Sequence, residues 1–416
     1  MAGIATIGPS TRDKLGRARA AAALLAQFST EQKNRILLQM AEALEASTPQ
    51  ILRANEEDLR SASLSDAMRD RLLLTPRRIG DMANSVRDVA ALPDPAGEVL
   101  EEWTRPNGLH IRKIRVPLGV VGIVYESRPN VTVDAAVLAF KSGNAVVLRG
   151  GKEAARSNQV LAEILASVPG VPTGTIELLD SSTRETVQEL ITARGLVDVI
   201  IPRGGPELIT HVVENSTVPA IETGAGNCHI FVDESADLEM ARDIVLNAKT
   251  QRPSVCNAAE KLLVHGSVAG AFIPRIVPEL SAAGVEVRGD QKTLELASGA
   301  TPAHEQDWSE EYLRLCIAVR VVSSLSEAIE HINRYSTKHS EAIVTANEDH
   351  ARKFLRLVDS AAVYWNASTR FTDGGEFGFG AEMGVSTQKL HCRGPFALRE
   401  LTSMKYEIVG EGQVRG

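Results

Sequence analysis

The chain has 416 residues, 44% of them hydrophobic and 24% charged, with a net charge of −8. That length predicts two or three domains with ample core, in an ordinary globular composition. Both signs of charge are interspersed and no long basic run exists, which argues against nucleic acid as a partner; an anionic small substrate stays open, because local clusters set the potential of a site.

Cys228, Cys256, Cys316 and Cys392 lie too far apart for a disulfide framework or a zinc motif, so a reducing cytoplasm is expected and no metal. Met1 to Arg19 lacks the apolar stretch of a secretory signal. No apolar run is long enough to predict a membrane span.

Residues 12–92 read as helical. Ser29 and Gln32 have the spacing of a capping box, ahead of an apolar stripe of Ile36, Leu37, Met40, Ala41 and Leu44. Pro93 to Gly97 ends the pattern. Residues 98–116 alternate with much charge, which predicts an exposed hairpin-like ribbon. From Val116 strands and helices take turns: strands at Val116–Tyr125, Ala145–Leu148, Thr175–Leu179, Val197–Ile201 and His229–Val232, with helices between. A second series follows Cys256, with strands at 262–265, 317–322, 341–345 and 361–365. This order predicts an α/β fold of two parallel-sheet domains. Ligands are expected at the carboxyl ends of the strands, between the domains. The glycine-rich stretch from Phe371 to Gly384, with no strand pattern, reads as a functional loop.

One segment concentrates the chemistry. Gln251-Arg252-Pro253-Ser254-Val255-Cys256-Asn257-Ala258-Ala259-Glu260 sets a thiol on a helix-to-strand loop, with Arg252 close in sequence to depress its pKa. A thiolate attacks acyl carbons, and the resulting thioester can accept a hydride. A lone cysteine is more often a small buried hydrophobe, and Cys228 and Cys316 fit that description. Pro202-Arg203-Gly204-Gly205-Pro206 follows a strand and opens a helix, where a pyrophosphate can meet backbone N–H groups; a plain βα turn reads the same way. Neither a G-x-G-x-x-G fingerprint nor a Walker A loop is present.

The Cys256 segment, together with Tyr125–Asn130, Glu222–Asn227, His331–Thr345 and Asn366–Met383, resembles gamma-glutamyl phosphate reductase, a branch of the aldehyde dehydrogenase superfamily. The resemblance implies an aldehyde dehydrogenase-like fold: a cofactor-binding domain (1–97 and 117–252), a catalytic domain (253–390) and an oligomerisation element (98–116 and 391–416). It implies reduction of L-glutamate 5-phosphate by NADPH to L-glutamate 5-semialdehyde and phosphate, the second step of proline biosynthesis from glutamate. Cys256 is then the nucleophile, and Asn130 the side-chain donor to the oxyanion. Arg128 is placed at the leaving phosphate. Glu222 matches the family's water-activating glutamate, which a reductase does not need, so positioning of cofactor or substrate stays open for it. Arg149 and Lys152 stand where members preferring NAD carry a Lys and a carboxylate, and two cations favour the 2′-phosphate of NADPH.

Gly204 and Gly205 match the family's glycine turn, and Glu311 its ribose-binding carboxylate. Arg370 suits the substrate carboxylate and Asp373 or Glu376 its ammonium, with no spacing to choose between the two acids. A homo-oligomer is implied, and association with the glutamate 5-kinase that makes the labile acyl phosphate is a further expectation. The competing readings are a hydrolytic semialdehyde dehydrogenase, kept open by Glu222, and a non-catalytic protein on the same fold.

Overall fold

The computed structural model describes residues 10–61 and 66–415, so the reading of the amino terminus bears on that description only from Ser10 onward, and the helical reading of 12–92 only outside 62–65. The chain forms two compact units: Met1–Glu222 with Gly378–Gly384 and Phe396–Gly416, and Thr223–Phe377 with Val385–Pro395. This division falls at 222/223, earlier than the functional division expected at 252/253. The cause is pairing: strand Cys228–Val232 hydrogen-bonds to Ala259–His265 and Ser340–Val344, so it and the helix after it belong to the second sheet.

The first unit begins with helices Thr11–Leu25, Thr30–Ala46, Thr48–Ser61, Asp66–Leu72 and Pro76–Ala91. Ser29 and Gln32 make the reciprocal capping box that their spacing predicts. Ile36, Leu37, Met40, Ala41 and Leu44 are all buried. Four parallel strands follow, in the order Ile176–Leu178, Ala145–Arg149, Val120–Tyr125 and Val199–Arg203. The two central strands run as apolar buried stretches up to the half-buried Arg149 that ends one of them, as sheets covered on both faces require.

Apart from this sheet, Val99–Thr104, His110–Pro117 and Thr402–Val409 form an antiparallel three-stranded ribbon. Its tail strand exposes Met404, Tyr406 and Ile408 on one face.

The second unit holds seven parallel strands in the order Thr301–Pro302, Glu286–Gly289, Cys316–Val322, Ala259–His265, Cys228–Val232, Ser340–Val344 and Ala362–Trp365. Apolar side chains from the central strands and from helices Leu238–Thr250 and Gly266–Ala282 make its main core. The strand expected at 262–265 begins three residues earlier and includes Glu260 and Lys261. These charges read as a strand boundary, yet both are fully buried. Burial is tolerated because each is partnered: Glu260 by Lys249 at 2.8 Å, and Lys261 by the Glu310 carbonyl at 2.7 Å. Among the described residues no helix is long and apolar enough to cross a membrane.

Candidate active site

In the first unit the candidate residues gather at the carboxyl ends of adjacent strands, as expected for α/β sheets. Strand Val120–Tyr125 runs into Glu126–Asn130, strand Ala145–Arg149 into Gly150–Glu153, and strand Val199–Arg203 into Gly204–Gly205. Two hydrogen bonds tie these loops together. Ser127 Oγ donates to Glu153 Oε2 at 3.1 Å, and Gly205 N–H donates to Glu126 Oε1 at 3.0 Å. A Cβ on Gly204 would meet the Glu126 carboxyl carbon at 2.7 Å, so a side chain there would push the Glu126 carboxylate aside.

Arg128 is the N-cap of helix Pro129–Lys141, with no side-chain cap bond. Asn130 opens that helix and donates from Nδ2 to Asp134 Oδ2 at 3.1 Å. Burial pushes the Asp134 carboxyl up to about 6, against the pull of the Asn130 bond and of Arg203. The segment ending at Glu222 runs parallel to Val199–Arg203, with Ile221 N–H bonded to the Ile200 carbonyl; this brings the half-buried Glu222 to the same edge.

Arg149 spends its guanidinium on carbonyls: Thr183 at 2.7 Å and Gly150 at 3.1 Å, with burial drawing its pKa down. Lys152 is exposed at the start of a single 3-10 turn. Neither cation makes an ion pair among the described residues. Helix Pro206–Asn215 starts at Gly205 without a side-chain cap, leaving N–H groups aimed outward, although Glu126 already occupies the Gly205 N–H.

The second unit departs from that rule. Cys256 lies on the loop immediately before strand Ala259–His265, Gly226 and Asn227 immediately before Cys228–Val232, and Glu311 before Cys316–Val322. The candidate site here sits at the amino ends of the strands, which corrects the expectation of carboxyl ends. Sequence periodicity locates the loops, but it does not show which end of a sheet holds the polar contacts.

Cys256 is half-buried, and its carbonyl is tightly confined. The buried Cys228 thiol donates to it at 3.1 Å. A Cβ on Gly226 would collide with the same carbonyl oxygen, so only glycine fits. Gly226 N–H in turn donates to Glu311 Oε1 at 2.6 Å. Burial pushes the Glu311 carboxyl up, opposed by that bond and by His339, Lys261 and Lys249.

The neighbouring loop is sewn to Cys256 through Asn257. The Asn257 amide donates to the Thr372 carbonyl at 2.9 Å, and its own carbonyl accepts from Thr369 Oγ1 at 2.7 Å. Arg370 donates to the Asn257 side-chain oxygen and, at 2.8 Å, to Gln251. It lies beside the cysteine loop without an ion pair among the described residues, and burial lowers its pKa. Asp373 uses Oδ1 to cap the turn at Gly375, at 2.8 Å.

Sequence reading missed the buried polar groups under this loop. Lys249 closes its amino side and Glu260 its carboxyl side, as a fully buried pair. Burial pushes Glu260 up to about 7, and Lys261 down to about 8. Deeper still, Glu341 takes the His229 N–H at 2.6 Å and is pushed up to about 8 by burial. The one available signal was the Glu260-Lys261 pair abutting an apolar run.

The aldehyde dehydrogenase family model matches residues 9–314. A gamma-glutamyl phosphate reductase of Koribacter versatilis is 67% identical over 408 residues, covering 98% of this chain and all of that protein. One from Moorella thermoacetica is 58% identical over 405 residues, covering 96% of this chain and 97% of its own length. The crystal structure of gamma-glutamyl phosphate reductase from Thermotoga maritima superposes with a TM-score of 0.95 at 49% identity, over 98% of this chain and 100% of that one. An acetylating aldehyde dehydrogenase from Geobacillus thermoglucosidasius has the same fold, with a TM-score of 0.72 at 18% identity over 98% of this chain and 97% of that one. The chain therefore belongs to the aldehyde dehydrogenase family and, within it, to the gamma-glutamyl phosphate reductases: it is an oxidoreductase.

Proposed function

We propose that this aldehyde dehydrogenase family member reduces L-glutamate 5-phosphate with NADPH, in the cytoplasm, to L-glutamate 5-semialdehyde and inorganic phosphate. The reaction passes through a thioester on Cys256 and is the second step of proline synthesis from glutamate. The full-length likeness to proteins named for this reduction supports the substrate. The observation that carries the mechanism is the Cys256 loop, whose half-buried thiol stands on a backbone confined by Gly226 and Cys228.

The Cys256 thiolate adds to the acyl carbon, the carbon–sulfur bond forms, and the carbon–oxygen bond to phosphate breaks. The Asn130 amide and the Cys256 N–H are the proposed oxyanion donors. Arg128 meets the leaving phosphate. Arg149 and Lys152 suit the 2′-phosphate of NADPH, and the Gly204–Gly205 turn its pyrophosphate. When bound, the cofactor would supply the hydride that brings the thioester carbon to the aldehyde level, and the carbon–sulfur bond then breaks to release the semialdehyde and return the Cys256 thiolate. Arg370 faces the substrate carboxylate. Asp373, already capping a turn, is the weaker candidate for the ammonium. Glu222 serves positioning in a reductase.

The exposed apolar face of the ribbon, with Met404, Tyr406 and Ile408, suits self-association, and a homo-oligomer is proposed. A monomeric mass at micromolar concentration would contradict it.

The hydrolytic alternative uses Glu222 to activate water. Reduction of NADP with glutamate 5-semialdehyde, with and without inorganic phosphate, separates the two. Turnover only with phosphate is expected, and turnover without it would reassign the enzyme as a hydrolytic semialdehyde dehydrogenase.

A further inference from the structure

Glu311 stands where the family carboxylate binds the nicotinamide ribose, yet its surroundings give it another task. Its Oε1 accepts the Gly226 N–H at 2.6 Å, a charge-assisted bond of short length. Gly226 in turn lies so close to the Cys256 carbonyl that any side chain would collide with it. The same carbonyl takes the Cys228 thiol at 3.1 Å. One glutamate therefore bears, through one glycine, on the backbone of the thiol loop.

The segment carrying Glu311 is itself held from both sides. Lys261 Nζ donates to the Glu310 carbonyl at 2.7 Å, and the Leu313 N–H donates to Glu260 Oε1 at 3.2 Å. The other Glu260 oxygen pairs with Lys249 at 2.8 Å, at the base of the Cys256 loop. Leu313 adopts φ 52°, a left-handed conformation that a leucine holds only under constraint. Lys261 also lies over the Tyr312 ring, 4.4 Å from its centre. The pins at 310 and 313 leave the Glu311 side chain aimed at Gly226.

We propose that Glu311 is a positioning residue for the nucleophile: its carboxylate anchors the Gly226 N–H through Oε1, and Gly226 fixes the Cys256 backbone. This rests on the reading of Cys256 as the nucleophile. The two roles differ in what they spare. A ribose ligand sets cofactor affinity, whereas a strut for the thiol sets the acyl-transfer rate.

The test compares Glu311→Ala and Glu311→Gln in the full-length enzyme, reading kcat with the acyl phosphate and the NADPH Kd by fluorescence titration. Thermal melting is followed in parallel. Misplacing a nucleophile by about 1 Å costs on the order of 100-fold, so Glu311→Ala is expected to lose roughly 10- to 100-fold in kcat, with Kd within about twofold of the parent. Glutamine keeps an oxygen acceptor for the Gly226 N–H, and Glu311→Gln is expected to recover kcat to within about threefold.

A weakened NADPH Kd with unchanged kcat in Glu311→Ala would overturn the proposal in favour of the ribose role. Unchanged values of both would overturn it outright. Should the alanine variant melt before assay, the glutamine variant decides: a Kd loss in Glu311→Gln with kcat retained contradicts the strut. Full turnover by Cys256→Ser would instead remove the nucleophile reading on which the proposal stands, and the Glu311 variants would leave that result unchanged.

Discussion

The two sheets arrange their candidate residues at opposite ends. In the four-stranded sheet the loops bearing Asn130, Lys152 and Gly204 follow the strands, and the central strands beneath them are apolar up to the terminal Arg149. In the seven-stranded sheet the Cys256, Gly226 and Glu311 segments precede the strands, and beneath them lie Lys249, Glu260, Lys261 and Glu341, all buried. The loops of the four-stranded sheet rest on a mainly apolar platform. The Cys256 loop is flanked instead by a buried ion pair, Lys249 with Glu260. Buried charge occurs in both units, with Lys33, Asp58 and Lys141 buried in the first; what sets the second apart is that its buried Lys249–Glu260 pair lies on the helix and the strand that flank the Cys256 loop.

The largest expected effect comes from breaking that buried framework. Glu260→Ala leaves Lys249 uncompensated at the base of the cysteine loop and should destabilise the protein by about 3–5 kcal/mol, read from urea denaturation. A loss below about 1 kcal/mol would show that the pair is dispensable. The glycines sharpen the comparison next. At Gly226 an added methyl meets backbone at Cys256, whereas at Gly204 it meets a Glu126 side chain and Leu208. Gly226→Ala should cost on the order of 100-fold in kcat. Gly204→Ala should act mainly on the NADPH KM, because a side-chain tip can move aside. Equal losses from both would erase the distinction.

In the first unit, Lys152→Ala should lower the ratio of kcat/KM for NADPH over NADH by roughly tenfold, the worth of one charge-assisted phosphate contact. An unchanged ratio would remove Lys152 from the 2′-phosphate site. The smallest effect is a pH slope. His331 is driven from 6.5 down to about 3, by burial first and then by His229, Arg320 and Lys261. Its folded form binds fewer protons than the unfolded chain between these values. The stability this group contributes is therefore complete above about pH 6.5 and lost as the pH falls through 3. Denaturation at pH 7.5 and pH 5 should show a shallower acid loss in His331→Gln than in the parent protein.

Much of this was legible in the sequence, for physical reasons that differ by region. The Ser29–Gln32 cap, the apolar stripe after it and the βα alternation are local patterns that appear as expected, except that the strand expected from Val116 begins at Val120, because Val116 and Pro117 pair into the ribbon. The short strand Glu286–Gly289 and the helix Gln291–Leu296 went unread, because four residues of mixed polarity carry no clear period. The Cys256 loop was legible from its motif. Its supports were not: the Lys249–Glu260 pair spans eleven positions, and the Glu311–Gly226 bond eighty-five. Long-range polar contacts leave no periodic trace, and charges in a strand read as solvent-facing until their partners are known. Gly226 stood inside a motif, but the reason it has to be glycine is a contact thirty residues away in the chain.

The central claim is that Cys256 takes the acyl group before any hydride moves. Mixing the enzyme with L-glutamate 5-phosphate in the absence of nicotinamide, and following inorganic phosphate, tests it directly. The account predicts a burst of one phosphate per active site, with an acyl adduct on the Cys256 peptide and neither burst nor adduct in Cys256→Ala. A burst that persists in Cys256→Ala, or phosphate release only when NADPH is present, would contradict it.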